Sequence, residues 1–193
     1  MRPAVLNHGY RVGTKILFRM IRLFTGQPLP DAAKLTFYRP DFYGDYAKEF
    51  THAAMRGPSE WSVADRELMA AYVSHVNQCA FCIGAHTATA RQAYDDDAKV
   101  RAVLADPDSA PIPDGLRATL HLLGKLTRDA TVTADDVRVV LATGVSPAAV
   151  EDALAVCAAF DTTNRLADAF DFELLSPAGF DSGAEYLLKR GYR

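Results

Sequence analysis

From Phe42 onward the chain is a series of apolar stripes at three- and four-residue spacing, each closed by a recognisable stop. No segment shows sustained strand alternation bounded by hairpin turns, so the sequence specifies an all-α domain. A helix is expected over Phe42 to Met55, ended by Gly57-Pro58. Ser62 is an N-cap with Asp65 in the first turn, ahead of a stripe made by Leu68, Met69, Tyr72, Val73 and Val76. The next helix runs from near Cys79 to Tyr94 and stops at Asp95-Asp-Asp97; a short one follows around Ala98 to Ala105. After the loop Asp106 to Pro113, a helix is expected from about Asp114 to Arg128. Thr133 with Asp136 caps another, which ends at Gly144. Ser146-Pro147 then opens a long helix to roughly Phe170, with serine as N-cap and proline at the first helical position.

With 193 residues, 49% of them hydrophobic, the chain can bury a sizeable core and needs no second domain. A net charge of −3 and a pI near 5.9 give no general attraction to nucleic acid. No apolar run approaches the ~20 residues needed to cross a bilayer, and the opening residues lack the apolar core and cleavage site of a secretory signal. Three cysteines, two of them three positions apart in a Cys-x-x-Cys, are no disulfide framework, and a reducing cytoplasm is the expected address. Charge is uneven: residues 1–30 hold Arg2, Arg11, Lys15, Arg19 and Arg22 and no acid, so this segment is +5 and the remainder −8. Ile16, Leu17, Met20, Leu23 and Phe24 recur at helical spacing among those bases. Such an amphipathic helix suits an acidic neighbouring subunit, the protein's own core or an anionic membrane, with packing against protein preferred.

The chemistry concentrates in His75-Val-Asn-Gln-Cys79-Ala-Phe-Cys82-Ile-Gly-Ala-His86, entered by Glu67 twelve residues before the first cysteine. A dithiol can cycle between thiols and disulfide, but a thiol of ordinary pKa, about 8.5, is mostly protonated at neutral pH and needs a base or a dipole to attack. Glu67 and His86 are available for that. At about 100° per residue, Cys79, Cys82 and His86 share one stripe, joined by Glu67, Ala71 and His75 if the helix is unbroken. A break at Asn77-Gln78 is favoured: it places Cys79 at the start of a new helix, whose free N–H groups stabilise a thiolate. Glu67 reads equally as an ordinary first-turn acid and as a buried carboxylate facing the dithiol.

These residues resemble the alkyl hydroperoxidase D-like family, grouped with the carboxymuconolactone decarboxylases, and in particular its peroxidase-related branch. Glu67, Cys79, Cys82 and His86 stand at that branch's spacing, within a resemblance running from about Tyr38 to Leu175. The resemblance implies an alkyl hydroperoxidase D-like helical bundle with the Cys-x-x-Cys at or near a helix N-terminus. It implies Cys82 as the peroxidatic cysteine, Cys79 as the resolving one, and Glu67 with His86 as a proton relay. The best-known members carry a histidine just before the second cysteine; here that position is Phe81, so a shorter relay or weaker turnover is expected. The domain organisation read from this is a basic arm over 1–30, the helical domain over 31–175, and an extension over 176–193.

Thiol-dependent reduction of a hydroperoxide is the leading functional expectation, with a thioredoxin-like or lipoyl-bearing protein as external reductant and a homo-oligomer as the assembly. No Gly-x-Gly-x-x-Gly, phosphate loop, haem or flavin motif is visible, so no cofactor is expected. Metal is disfavoured although His75, Cys79, Cys82 and His86 form a conceivable ligand set, because there is no second ligand pair. Lactone decarboxylation, from the other branch, needs no cysteine pair. A redox-sensing helical oligomer without turnover is the reading from a different class, strengthened by Phe81. Behind the dithiol, His75, Phe81 and Asn164 are candidate supporting residues; Asn164-Arg-Leu-Ala-Asp168 is a stretch similar to one in the same branch. Cys157 sits with Val150 and Leu154 on an apolar stripe and is expected to be buried and inert.

Overall fold

The computed structural model describes residues 5–192 and contains helices and no strand among them. After α1 (Val5–His8) come α2 (Val12–Thr25), α3 (Asp31–Tyr38), a π-helical turn (Pro40–Gly44) and α4 (Asp45–Arg56). The central pair is α5 (Val63–Val76) and α6 (Ala80–Tyr94), followed by α7 (Asp97–Ala105), α8 (Asp114–Asp129), α9 (Ala134–Ala142), α10 (Pro147–Ala169) and α11 (Pro177–Arg190). The stops read from the sequence hold from Ser62 onward. Ser62 and Thr133 each form a reciprocal capping box with Asp65 and Asp136, and Ser146 caps α10 by accepting the Ala149 N–H at 3.1 Å.

α5 is the axis of the molecule, packing against α6, α8 and α10. It is buried on nearly every side: Ala64, Leu68, Met69, Ala70, Ala71, Tyr72, Val73 and Ser74 all lie inside. The apolar stripe expected on one face is therefore part of a wider buried surface, because small residues between its members let neighbouring helices close in all round. Two charged side chains go in with it. Arg66 donates to the carbonyls of Ala54 and Gly57 at 3.2 and 2.9 Å, closing the C-terminus of α4. The other is Glu67.

The beginning and end of the chain differ most from expectation. The helix expected from Phe42 begins instead at Asp45, after the π-helical turn, and α3 precedes it. The turn is wound tightly against α3: a Cβ at Gly44 would collide with the Thr36 carbonyl oxygen, a position open only to glycine. At the other end, the stretch expected as an extension forms α11, which packs along α6. Gly84 permits this, since a Cβ there would fall 2.6 Å from the Phe180 ring. Arg91 pairs with Asp181, and Gln92 donates to the Asp181 carbonyl at 3.0 Å.

Candidate active site

The break between α5 and α6 falls at Asn77-Gln78. Asn77 ends α5 and Gln78 takes a left-handed conformation, φ 59°, which turns the chain abruptly. Asn77 Nδ2 donates to Asp161 Oδ1 at 2.7 Å, fixing the corner to α10. Cys79 is then the N-cap of α6 in extended conformation, and Cys82 lies in the first turn. Both cysteines are free thiols, each only 1% exposed, at the positive end of the helix.

The thiol and the backbone N–H of Cys82 stand beside Cys79 and favour its charged form, holding it below the ordinary thiol range despite its burial. The adjacent Cys79, with burial second, pushes Cys82 far up. Of the two thiols, Cys79 at the N-cap position is therefore the more readily ionised. Asp168 of α10 interacts with Cys79 and opposes ionisation of both thiols. Tyr43, from the π-helical turn, packs on the same apolar cluster; burial first and the nearby Cys82 second raise its pKa. Phe81 is buried edge-on against Phe172 and Phe180, ring centroids 5.3 and 6.0 Å apart, and so anchors the dithiol turn to the C-terminal part of the chain.

One helical turn beyond Cys82, His86 is buried and its Nδ1 lies 2.8 Å from Glu67 Oε2. Glu67 is fully buried. Its second oxygen accepts from Arg56 Nη2 at 2.7 Å and from the Tyr192 hydroxyl at 2.8 Å. Burial by itself raises the Glu67 pKa, but the hydrogen bond and charge of His86, followed by those of Arg56, more than offset it and hold the group as a carboxylate. Tyr192 stays a phenol, since burial first and the Glu67 charge second raise its pKa well above the usual value. The Tyr192 ring also stacks on His86, centroids 6.3 Å apart and planes 16° apart, and lies beneath the Arg56 guanidinium. A carboxylate held ionised in this way is a weak base. Its effect is on the imidazole: Nδ1–H donates to Glu67, and in the neutral ring Nε2 is left as the proton acceptor.

The structure therefore brings Glu67, His86, Cys79 and Cys82 to one region of α5 and α6, the imidazole reaching Glu67 rather than hydrogen-bonding directly to either sulfur. His75 is exposed in the last turn of α5 and is not brought to the pair. Asn164 is buried and accepts from Ser74 Oγ at 3.0 Å, joining α10 to α5 one turn before Asp168. Cys157 is buried in the main core, and burial pushes its thiol up to about 12. Sequence reasoning missed Arg56, Tyr192 and Tyr43, and reached Asp168 only as the end of the Asn164–Asp168 stretch. A signal for α11 existed, since Ser176-Pro177 repeats the capping grammar of Ser146-Pro147, but nothing in it connects Tyr192 to a carboxylate 125 residues away.

The fold and the dithiol corner define a helical protein of alkylhydroperoxidase core architecture. Residues 41–123 match the model of the carboxymuconolactone decarboxylase family. An uncharacterized peroxidase-related protein from Silicibacter sp. TM1040 superposes with a TM-score of 0.76 at 24% identity, covering 90% of this chain and 91% of its own. A second, from Ralstonia eutropha JMP134 and described as an alkylhydroperoxidase AhpD core, gives 0.74 at 21% identity, covering 95% of both chains. Comparison with curated proteins gave no match. Among the described residues, no helix is long and apolar enough to cross a membrane.

Proposed function

We propose that the protein is a thiol-dependent peroxidase that reduces hydroperoxides through a Cys79/Cys82 dithiol–disulfide cycle in a reducing, cytoplasmic setting. The observation that carries this reading is the buried Glu67 carboxylate, bonded to both His86 and Arg56, with His86 one turn from a Cys-x-x-Cys at a helix N-terminus. Cys82 is the attacking sulfur by family resemblance. Its proton passes to Cys79 once that thiol is ionised, or to His86 Nε2, and its sulfur attacks the terminal oxygen of ROOH. The O–O bond breaks and the leaving alkoxide takes up a proton as ROH. The Cys79 thiolate then attacks the sulfenic acid at Cys82, forming the S–S bond and releasing water. The balance is ROOH plus two thiols to ROH, water and one disulfide, and an external dithiol, from a thioredoxin-like or lipoyl protein, restores the thiols.

Hydroperoxide consumption in the presence of dithiothreitol, dihydrolipoamide or thioredoxin tests this. Turnover that disappears in Cys79→Ser and Cys82→Ser supports it; stoichiometric oxidation without turnover sinks it. That second outcome is the redox-sensing alternative, favoured by one observation: both sulfurs are 1% exposed, so closing the disulfide at the α5–α6 corner would have to disturb packing.

A further inference from the structure

α2 carries no buried residue, although six of its large apolar side chains form one continuous face. Advancing 100° per residue, Val12, Ile16, Leu17, Met20, Leu23 and Phe24 occupy an arc pointing away from the body. Val12, Leu23 and Phe24 are 75%, 75% and 79% exposed. The opposite face is already used: Phe18 packs edge-on against Tyr10 and Phe37, centroids 4.9 and 5.4 Å away. Burying each of these outer side chains would contribute roughly 1.5–3 kcal/mol, so an uncovered face of this size needs a partner. Arg11, Lys15, Arg19 and Arg22 flank the arc on one side only.

A complementary surface lies on the same molecule. Between α4 and α10 runs a groove of about 300 Å³, walled by Tyr43, Tyr46, Phe50, Ala159 and Thr163. Tyr46 and Phe50 are exposed on α4, and the acids on the neighbouring face, Asp41, Glu49 and Asp45, are exposed as well, Asp45 being paired with Lys48 at 2.7 Å. The arm is apolar and basic; the groove is aromatic and acidic.

We propose that α2 docks onto this α4–α10 groove of a second copy of the chain, reciprocally, in a two-fold dimer that exchanges arms. Charge complementarity selects this occupant: the body outside residues 1–30 carries −8 and would be repelled by an anionic lipid surface, while the basic flank of α2 is attracted to Asp41 and Glu49. Reciprocity follows from two-fold symmetry, which uses each complementary patch once per subunit. Tyr43 lines the groove and also packs on the cluster holding Cys79 and Cys82, so the arriving arm forms the outer wall of the region beside the dithiol.

Light scattering coupled to size exclusion tests the assembly independently of any peroxidase activity. The full-length protein is expected as a dimer or a multiple of it. Leu23→Asp/Phe24→Asp, which breaks the arm, and Phe50→Asp, which breaks the groove, should each weaken association by about 100-fold while leaving the helical circular dichroism unchanged. Mixing the two monomeric variants should restore dimers, because one intact arm then meets one intact groove. A monomeric full-length protein, an unaffected Phe50→Asp dimer, or variants that do not complement would each overturn the proposal. A monomer that sediments with phosphatidylglycerol vesicles would assign the arm to a lipid surface instead.

Discussion

Replacing Glu67 by glutamine preserves the shape of the buried centre and removes only its charge. Two contacts depend on that charge: Arg56 Nη2 at 2.7 Å and His86 Nδ1 at 2.8 Å. Breaking a buried ion pair from one side costs about 3–5 kcal/mol, because the remaining charge stays desolvated. Arg56 keeps its bonds to the Met55 and Leu187 carbonyls, and glutamine retains an acceptor oxygen, so the low end, about 3 kcal/mol, is expected. For a chain of this size that lowers Tm by about 6–12 °C. The chemical effect is distinct. The glutamine amide donates to His86 Nδ1, moves the ring proton to Nε2 and abolishes the acceptor facing away from position 67. Dithiol alkylation by iodoacetamide should slow about tenfold or more at pH 7 and much less at pH 9, where hydroxide deprotonates the thiols directly. Equal slowing at both pH values would reduce Glu67 to a packing role, and an unchanged rate at pH 7 would remove the Glu67–His86 pair from thiol activation.

Glu67 also sets an acid limit. Its folded pKa is below the ordinary 4.5, so its stabilisation is present above about pH 4.5 and lost as pH falls through the lower folded value. Urea midpoints at pH 7, 5, 4 and 3 should drop steeply at the acid end in the native protein and less steeply in Glu67→Gln; parallel curves refute the assignment. Tyr192→Phe removes the 2.8 Å hydrogen bond to the carboxylate and keeps the ring on His86, so it should cost about 1.5–3 kcal/mol in denaturant unfolding, whereas no loss would mean the C-terminal residues do not support the centre. After brief peroxide exposure, mass spectrometry should find a Cys79–Cys82 disulfide in the native protein and a trappable sulfenic acid at Cys82 in Cys79→Ser. A sulfenic acid at Cys79 in Cys82→Ser alone would place the attack on the more readily ionised sulfur.

Helix identity and order from Ser62 to Phe170 were legible in the sequence, because they rest on local rules: apolar spacing, Ser and Thr caps, a proline at the first helical position, and the Asn77-Gln78 corner. The same locality put Cys79, Cys82, His86 and Glu67 forward as one group, since they occupy adjoining helices within a single short stretch. Tertiary structure decided what surrounds them. Whether Glu67 was a first-turn acid or a buried carboxylate depended on α5 being enclosed on all sides, and spacing alone does not report that. Arg56, Tyr192 and Asp168 reach the centre from α4, the end of the chain and α10, at separations where no periodicity operates. Periodicity reports which face of a helix is apolar, not which partner covers it, and α2 shows this most plainly: its stripe was readable, but only the assembled chain shows that its own body leaves that stripe bare.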